Sequence, residues 1–439
     1  MSTKQKIGVV GGGFAGLNFG KKIDNSKFDI ILVDKHNYHT FPPLFYQVAS
    51  SELDPTSICF PLRRELRKRN CHGTTFHIGK VRNIDVAAKQ VSTDYETIHY
   101  DKLVMAIGTT NNFFGNNSLI DNVYTLKSTD QAIRIRNEIL FRCERAAVET
   151  DREKRRRMLS FVVIGGGPAG VEIAGAVGEL KRYILKRDYP GISPDELSIT
   201  IVEGADRLLG TMSREASDTA LRDLGQLMVD VRLGRLMKTY NENVITLDDG
   251  STIYSEMVIW TAGVTGVPIE FSGVDYKAGR GGRFPTDQYC RVEGLDDIYA
   301  IGDIGLLTTE KYPKGLPQLA QVAIQQGRFL AKSLNSGKFD KPFRYADKGS
   351  MATIGRNRAV ADLHGIHLSG FVAWLAWMFI HLISLLGMRN KINVVINWIW
   401  AYFSYNTSLR LLLGGSKYPK RGELWNKGCQ IFRILAFKL

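Results

Sequence analysis

Lys6-Ile7-Gly8-Val9-Val10-Gly11-Gly12-Gly13-Phe14-Ala15-Gly16 runs a short apolar segment straight into a glycine cluster. Ile7 to Val10 reads as a buried strand, and Gly11-x-Gly13-x-x-Gly16 as the turn that opens a helix. A second apolar run, Ile30 to Val33, ends in Asp34, eighteen residues after Gly16. Strand, glycine turn, helix, strand and acid make a dinucleotide-binding βαβ unit. In such a unit the first glycine forms the tight turn, the second admits a diphosphate to the backbone, and the third allows close helix packing. Gly11, Gly13, Phe14, Ala15 and Gly16 are therefore candidates for holding a diphosphate on the helix N-terminus. Asp34, with Lys35 beside it, is the candidate for a ribose hydroxyl.

The pattern returns at Phe161-Val162-Val163-Ile164-Gly165-Gly166-Gly167-Pro168-Ala169-Gly170, so two similar nucleotide-binding units are expected. Gly165, Gly167, Pro168, Ala169 and Gly170 are the second set of candidates, and Glu203 ends the strand run Ile199 to Val202. That acid comes later than the usual spacing of about 20 residues. Residues 183–196, with Pro190-Gly191 and Pro194, read as an insertion that accounts for the delay. A carboxylate there favours an unphosphorylated ribose, hence NAD(H) over NADP(H), with Arg207 nearby as the competing feature. Residues 127–159 end in Glu153-Lys154-Arg155-Arg156-Arg157 and read as a helix with a solvated face leading into the second unit. Further strand runs at 197–202, 244–247, 257–260 and 298–301 alternate with helical patterns, as in parallel α/β sheets. The last of them delivers Asp303 to the strand's C-terminal end, where open α/β sheets bind ligands.

At 439 residues the chain has room for two or three domains. With 44% hydrophobic and 23% charged residues it is close to an average globular protein, which argues against disorder, collagen and a polytopic membrane protein. Five scattered cysteines, Cys59, Cys71, Cys143, Cys290 and Cys429, disfavour a disulfide framework, a zinc ribbon and a dithiol centre. His36, His39, His72 and His77 lack metal-ligand spacing, and His364 with His367 is an isolated pair, so no metal is expected. The net charge of +14 is uneven, because residues 363–439 hold nine Lys/Arg against the single acid Glu423. No charged side chain occurs between Asp362 and Arg389, a stretch long enough on paper for one ~20-residue span. Ser369-Gly370, His381 and a second apolar stretch, Ile392 to Leu413, interrupted by Asn393, Asn397, Ser404, Asn406 and Arg410, favour instead a segment lying in the membrane interface. Its basic groups would rest on anionic headgroups. The N-terminus reads as a strand rather than a signal peptide, placing the chemistry in the cytoplasm.

On these motifs the chain resembles the two-dinucleotide-binding-domain flavoproteins and, within them, the type II, single-subunit, non-proton-pumping NADH:quinone oxidoreductases, from Lys6 to the C-terminal region. The resemblance implies FAD on the first fingerprint with Asp34, Asp303 against its ribityl or diphosphate portion, and NADH on the second fingerprint with Glu203. Ala106-Ile107-Gly108-Thr109 and Thr261-Ala262-Gly263-Val264 are similar to the family's crossover connections, which adds Ala106, Gly108 and Thr109 to the FAD set and Ala262 and Gly263 to the NADH set. Asn37 to Ala49 is similar to a segment that approaches the flavin. Ala320-Gln321-Val322-Ala323-Ile324-Gln325-Gln326-Gly327 resembles the A-Q-x-A-x-Q quinone motif. Gln321 and Gln325, four apart, share a helical face, and an amide can donate to a quinone carbonyl. Ala320 and Ala323 would admit a flat ring, so Ala320 and Gln321 also join the FAD set. Glu172 matches a family position near flavin and quinone, a candidate for proton delivery as well as an NADH contact, although a carboxylate at a helix start also answers the macrodipole.

The expected fold is α/β: an FAD domain of residues 1–120 and 277–365, an NADH domain of residues 121–276, and a C-terminal amphipathic membrane-anchoring module of residues 366–439. The expected reaction is FAD-dependent NADH oxidation with two-electron reduction of a membrane quinone, without pumping. The protein would sit on the lipid bilayer surface at the cytoplasmic face of the cell inner membrane, bind no nucleic acid, and leave a homodimer open. Alternatives are a nucleic-acid-binding flavoprotein of the apoptosis-inducing-factor type, motivated by the charge, or a sulfide:quinone or ferredoxin reductase on the same scaffold.

Overall fold

Apolar strands buried on both faces and joined by helices pair in parallel, and each fingerprint strand lies at the centre of such a sheet. A computed structural model describes residues 4–67, 74–404 and 409–412, in two compact units. The first unit is Met1–Phe41, Ile58–Asn112 and Val264–Gly349. Its sheet runs Ile298–Ala300, Lys102–Met105, Gln5–Val10, Phe28–Asp34, Thr75–Ile78, all parallel. Strand order reverses at Gln5–Val10, which opens a crevice at the carboxyl ends of the strands. The helix Phe14–Lys22 packs on the helix Ala320–Ser336 with Gly327 against the carbonyl of Ala15. An antiparallel pair, Thr109–Asn111 with Val264–Gly266, marks where the chain leaves and re-enters this unit.

The second unit is Pro42–Ser57, Phe113–Gly263 and Ser350–Leu439. Its parallel sheet runs Tyr124–Thr125, Met257–Trp260, Ser160–Ile164, Ser198–Glu203, Asp230–Leu233. The stretch read as one helix over 127–159 is two, Thr129–Val148 and Arg152–Met158, because Asp151 caps the second by accepting from the N–H groups of Glu153 and Lys154. The arginine run pairs internally: Arg155 meets the buried Glu196 at 2.6 Å and Arg152 meets Asp195 at 2.9 Å. The stretch read as an insertion begins as helix. Pro168–Glu179 continues through a π-turn, Leu180–Ile184, and the turn Leu185–Asp188 before the loop starts.

Segment 42–57 and everything from 350 onward group with the second unit, which differs from boundaries at 120, 277 and 365. Packing explains the difference. The short helix Phe45–Ala49 lies on Thr129–Val148 and Pro168–Glu179, and the strand Ser350–Gly355 lies on Pro168–Glu179. Ser350–Gly355, Arg358–Leu363 and Ile366–Ser369 form an antiparallel sheet, followed by the helices Gly370–Ser384 and Met388–Ser404. The uncharged run 363–388 is therefore strand, helix and turn rather than one span. Its 15-residue helix is about 22 Å long against a hydrocarbon core of about 30 Å. Among the described residues no helix is long and apolar enough to cross a membrane. Of the nine tail bases, Arg389, Lys391 and Arg410 are described; Lys417, Lys420, Arg421, Lys427, Arg433 and Lys438 lie outside the described residues, as do Cys71, His72, Asn406, Leu413 and Cys429.

Candidate functional site

The two glycine turns are built alike. Gly11 has φ +105°, and a Cβ there would lie 2.3 Å from the carbonyl oxygen of Ala106; Gly165 has φ +110° and would meet the Ala262 nitrogen at 2.8 Å. Both positions demand glycine. Gly16 and Gly170 each sit with the carbonyl oxygen of the first glycine 1.9 Å from their own Cβ position. Gly13 and Gly167 are the helix N-caps, with open space where a side chain would stand and no side-chain cap, so the helix N-termini face outward. Phe14, Ala15, Pro168 and Ala169 supply those first turns.

Each acid is held by its own turn. Asp34 accepts from Gly12 N–H at 2.6 Å and His36 N–H at 2.8 Å. Burial raises its carboxyl above the ordinary value, against these hydrogen bonds. Glu203 accepts from Gly166 N–H and from Ala205 N–H, the latter at 2.7 Å. The remaining lone pairs suit ribose hydroxyls. Uncapped helix N-terminus, open glycine and strand-end acid fit a dinucleotide in both units. Lys35 is exposed, and Arg207 donates to the carbonyl of Gly210 at 2.7 Å. His39 braces the first turn, with Nδ1 3.0 Å from Gly12 O and its ring edge-on to Phe14. Burial pushes it down to about 4, so it stands neutral and donates to that carbonyl. Spacing alone does not reveal this role.

Asp303 follows the strand Ile298–Ala300 through Gly302, whose N–H donates to the buried Gln326 at 2.7 Å. Thr109 donates to Asp303 at 3.4 Å, so two of the sequence candidates meet. Gln326, adjacent to the glutamine motif, was not a candidate. Gln321 and Gln325 do share a face of Ala320–Ser336, but their amides grip the following loop. Gln321 donates to Gly349 O and accepts from Lys348 N–H, both at 3.0 Å; Gln325 donates to and accepts from Ala346 at 2.9 and 3.0 Å. Each keeps one Nε2 hydrogen beyond these bonds. Gly108, φ +69°, has open space at its Cβ position, whereas Gly263 would strike Phe114.

A cavity of about 90 Å³ is lined wholly by residues of the second unit. Glu172, Ala176 and Glu179 line it from one face of Pro168–Glu179, at the i, i+4, i+7 spacing. Thr353 and Arg356 line it from the strand hairpin, and Tyr46 and Glu52 from the segment around Phe45–Ala49. Trp374, Trp377, Trp398 and Tyr402 close it from the two C-terminal helices. Burial holds the carboxyls of Glu172, Glu179 and Glu52 above their ordinary value, Glu52 at about 8. Glu172 accepts from Thr353 N–H, and the Tyr46 hydroxyl bonds the Thr353 side chain. Trp398 donates to Gln47 at 3.0 Å. The indole N–H of Trp377, 1% exposed, has no partner among the described residues. Of these groups only Glu172 was a candidate. Among the described residues no group of three or more His, Cys, Asp or Glu is placed to hold a metal.

Two dinucleotide turns, each with its own acid, define a pyridine nucleotide-dependent flavoprotein, and the pyridine nucleotide-disulphide oxidoreductase model matches residues 5–327. The NDH2 C-terminal domain model matches residues 348–404. The chain belongs to the type II NADH:quinone oxidoreductase family. It is 32% identical over 421 residues to the type II NADH:quinone oxidoreductase Ndh of Mycobacterium tuberculosis, covering 91% of this chain and 89% of that one. Against NdhA of the same organism it is 33% identical over 414 residues, with 90% and 86% covered. The structure of NDH2 from Plasmodium falciparum in complex with NADH, 22% identical, shares the fold at a TM-score of 0.86, over 94% of this chain and 100% of that one. FAD and NADH are the cofactors, and NADH oxidation with quinone reduction is the reaction. The nucleic-acid and sulfide or ferredoxin readings are set aside by this membership.

Proposed function

We propose that FAD lies on the first glycine turn with Asp34, Thr109 and Asp303, that NADH lies on the second with Glu203, Ala262 and Gly263, and that the quinone reaches the cavity of the second unit from a lipid surface. Bound FAD supplies the two-electron relay between NADH and quinone. The chain binds, orients and protonates. For Gln321 and Gln325 of the first unit, the likeness of their motif to the family's quinone pattern supports a role toward quinone, and each keeps one amide hydrogen for it. Trp377 offers the cavity's unpartnered indole N–H, a buried donor that a ligand carbonyl would satisfy.

One observation carries the quinone and membrane reading: the cavity and an exposed apolar surface are two sides of the same pair of helices. Trp374, Trp377 and Trp398 face the cavity, while Phe371, Val372, Leu375, Phe379 and Ile383 of one helix and Ile392, Ile396, Ile399, Trp400 and Phe403 of the other are exposed. Such a patch, flanked by Arg389 and Lys391, suits an anionic bilayer in which the quinone is dissolved. On this reading the protein sits peripherally, at the cytoplasmic face of the cell inner membrane.

Purified protein should carry flavin absorbance and reduce a lipid-embedded quinone with NADH; protein that binds flavin but reduces no quinone would defeat the reading. It should co-sediment with vesicles containing anionic lipid, and a Phe379→Glu, Ile396→Glu double variant should remain in the supernatant while still reducing a short-chain soluble quinone. Unchanged vesicle binding, or loss of that patch into a homodimer seen by sedimentation velocity, would argue against the lipid surface.

A further inference from the structure

We propose that Glu52 and Glu179 form a proton-holding pair that passes a solvent proton to the quinone through the cavity they line. The inference rests on the quinone reading of that cavity and extends it to two residues outside the motifs.

The reaction requires such a group. NADH + H⁺ + Q → NAD⁺ + QH₂: the C–H bond of NADH breaks and releases two electrons with one hydrogen, the quinone gains both electrons, and two O–H bonds form. One of the two protons must be drawn from water. A quinone at the inner end of an aromatic-walled cavity is separated from bulk water, so protein groups must carry that proton inward.

The geometry supplies them. Glu179 is the last residue of Pro168–Glu179, seven after Glu172 and on the same face. Its Oε1 accepts from Arg356 N–H at 2.6 Å, and the absence of a side chain on Gly355, whose Cβ would lie 2.9 Å from that oxygen, makes the approach feasible. The helix turns into its π-segment at the next residue, Leu180, a distortion common beside functional groups. Glu52 accepts from Ser50 Oγ at 3.0 Å. Both carboxyls line the cavity with Tyr46, Glu172 and Arg356.

The titratable and charged groups around the pair are Tyr46, Glu172, Arg356 and Arg410 of the lining, with Arg358 acting on Glu179 from beside it. Arg410 pairs with Asp188 at 2.6 Å, Arg358 bonds Gln226, and Arg356 donates to the carbonyls of Ala401 and Tyr402. Three half-buried carboxyls share these committed cations, an arrangement in which they do not all ionise at neutral pH. Burial and the neighbouring Glu179 charge hold Glu52 at about 8, and because the two titrate together the proton belongs to the pair. A donor near that value matches proton transfer around neutrality. Tyr46 lies within reach of the charges of all three carboxyls and bonds the Thr353 side chain, the backbone N–H of Thr353 meets Glu172, and the Trp377 indole N–H marks the ligand side.

The test uses the FAD-loaded full chain with Glu52→Gln and Glu179→Gln, singly and together. Quinone turnover should fall by about 10²-fold or more, the alkaline limb of its pH profile should move, and the solvent isotope effect should rise. Flavin bleaching by NADH without quinone should keep its rate. Infrared titration should show a protonated-carboxyl band that disappears near pH 8 in the parent and is missing from the double variant. This readout needs no turnover and serves even where a variant loses flavin. Unchanged turnover, pH profile and carboxyl band in both single variants would overturn the proposal. Ala176→Trp, which fills the cavity, separates the two readings. If it leaves quinone reduction intact, the cavity is not the quinone site; if it abolishes reduction while both Gln variants behave as the parent, only the proton pair fails.

Discussion

The carbonyl oxygen of Ile354 lies 1.9 Å from where a side chain on Gly175 would begin, so the second fingerprint helix rests directly on the strand Ser350–Gly355. No side-chain layer separates them. Glu172 and Glu179, three residues before and four after Gly175, are thereby held against Thr353 and Arg356.

Replacing Gly175 by Ala forces backbone apart, and overpacking of this kind costs about 1–3 kcal/mol or more. Chemical denaturation should show that loss. A variant as stable as the parent would contradict the close approach.

Stability should fall as pH rises. Glu52 holds its proton to about 8 in the folded chain against an ordinary value of 4.5, so the native state binds a proton the unfolded chain releases. The unfolding free energy therefore declines between about pH 4.5 and 8, by at most about 1.4 kcal/mol per unit for this group, and levels off above. Glu52→Gln should flatten that decline. Thermal unfolding at pH 6 and pH 8.5 checks it, and an identical pH dependence in the variant would count against the buried protonated carboxyl.

Trp377→Phe keeps a ring in the cavity wall and removes a buried donor that has no partner among the described residues. Stability should hold, because an unsatisfied buried N–H is costly. The KM for quinone should rise by about 5- to 10-fold, the worth of one hydrogen bond of about 1 kcal/mol. A lower stability with unchanged KM would assign the indole a packing role alone.

Glu203→Gln removes the charge proposed to face the second ribose. A hydrogen bond to a charged group is worth about 1.5–3 kcal/mol, so kcat/KM for NADH should drop by about 10- to 100-fold. NADPH should become relatively better, since a carboxylate no longer repels its phosphate. Steady-state rates with both cofactors decide this.

Gln321→Ala cuts the bonds to Lys348 and Gly349 as well as the proposed quinone donor. Quinone reduction should fall at least 10-fold while NADH-dependent flavin bleaching persists. Equal loss of both would assign Gln321 to the loop 346–349 rather than to quinone.

The glycine turns and their acids were legible in the sequence because a βαβ unit is local. Gly11 and Gly165 announce a positive φ, and Asp34 and Glu203 end the next strand, all within one supersecondary unit. The apolar, aromatic character of Gly370–Ser384 and Met388–Ser404 was also readable, from aromatic density and a missing charge. Its division was not: the uncharged run 363–388 hides a strand, a helix and a turn, since hydropathy does not register sheet pairing along Ile366–Ser369. Nor could spacing reveal the cavity. Glu52, Glu179 and the C-terminal residues Arg356 and Trp377 come from three segments far apart in the chain, and nothing around any one of them marks it as chemical. Their character comes from desolvation, from hydrogen bonds to Thr353 and Arg356, and from each other's charge. Those are properties of packing. The sequence by itself determined the two nucleotide turns, whose physics lies within a few tens of residues; only the tertiary structure, by bringing Glu52 to the helix that carries Glu172 and Glu179 around one cavity, decided where a proton can be held.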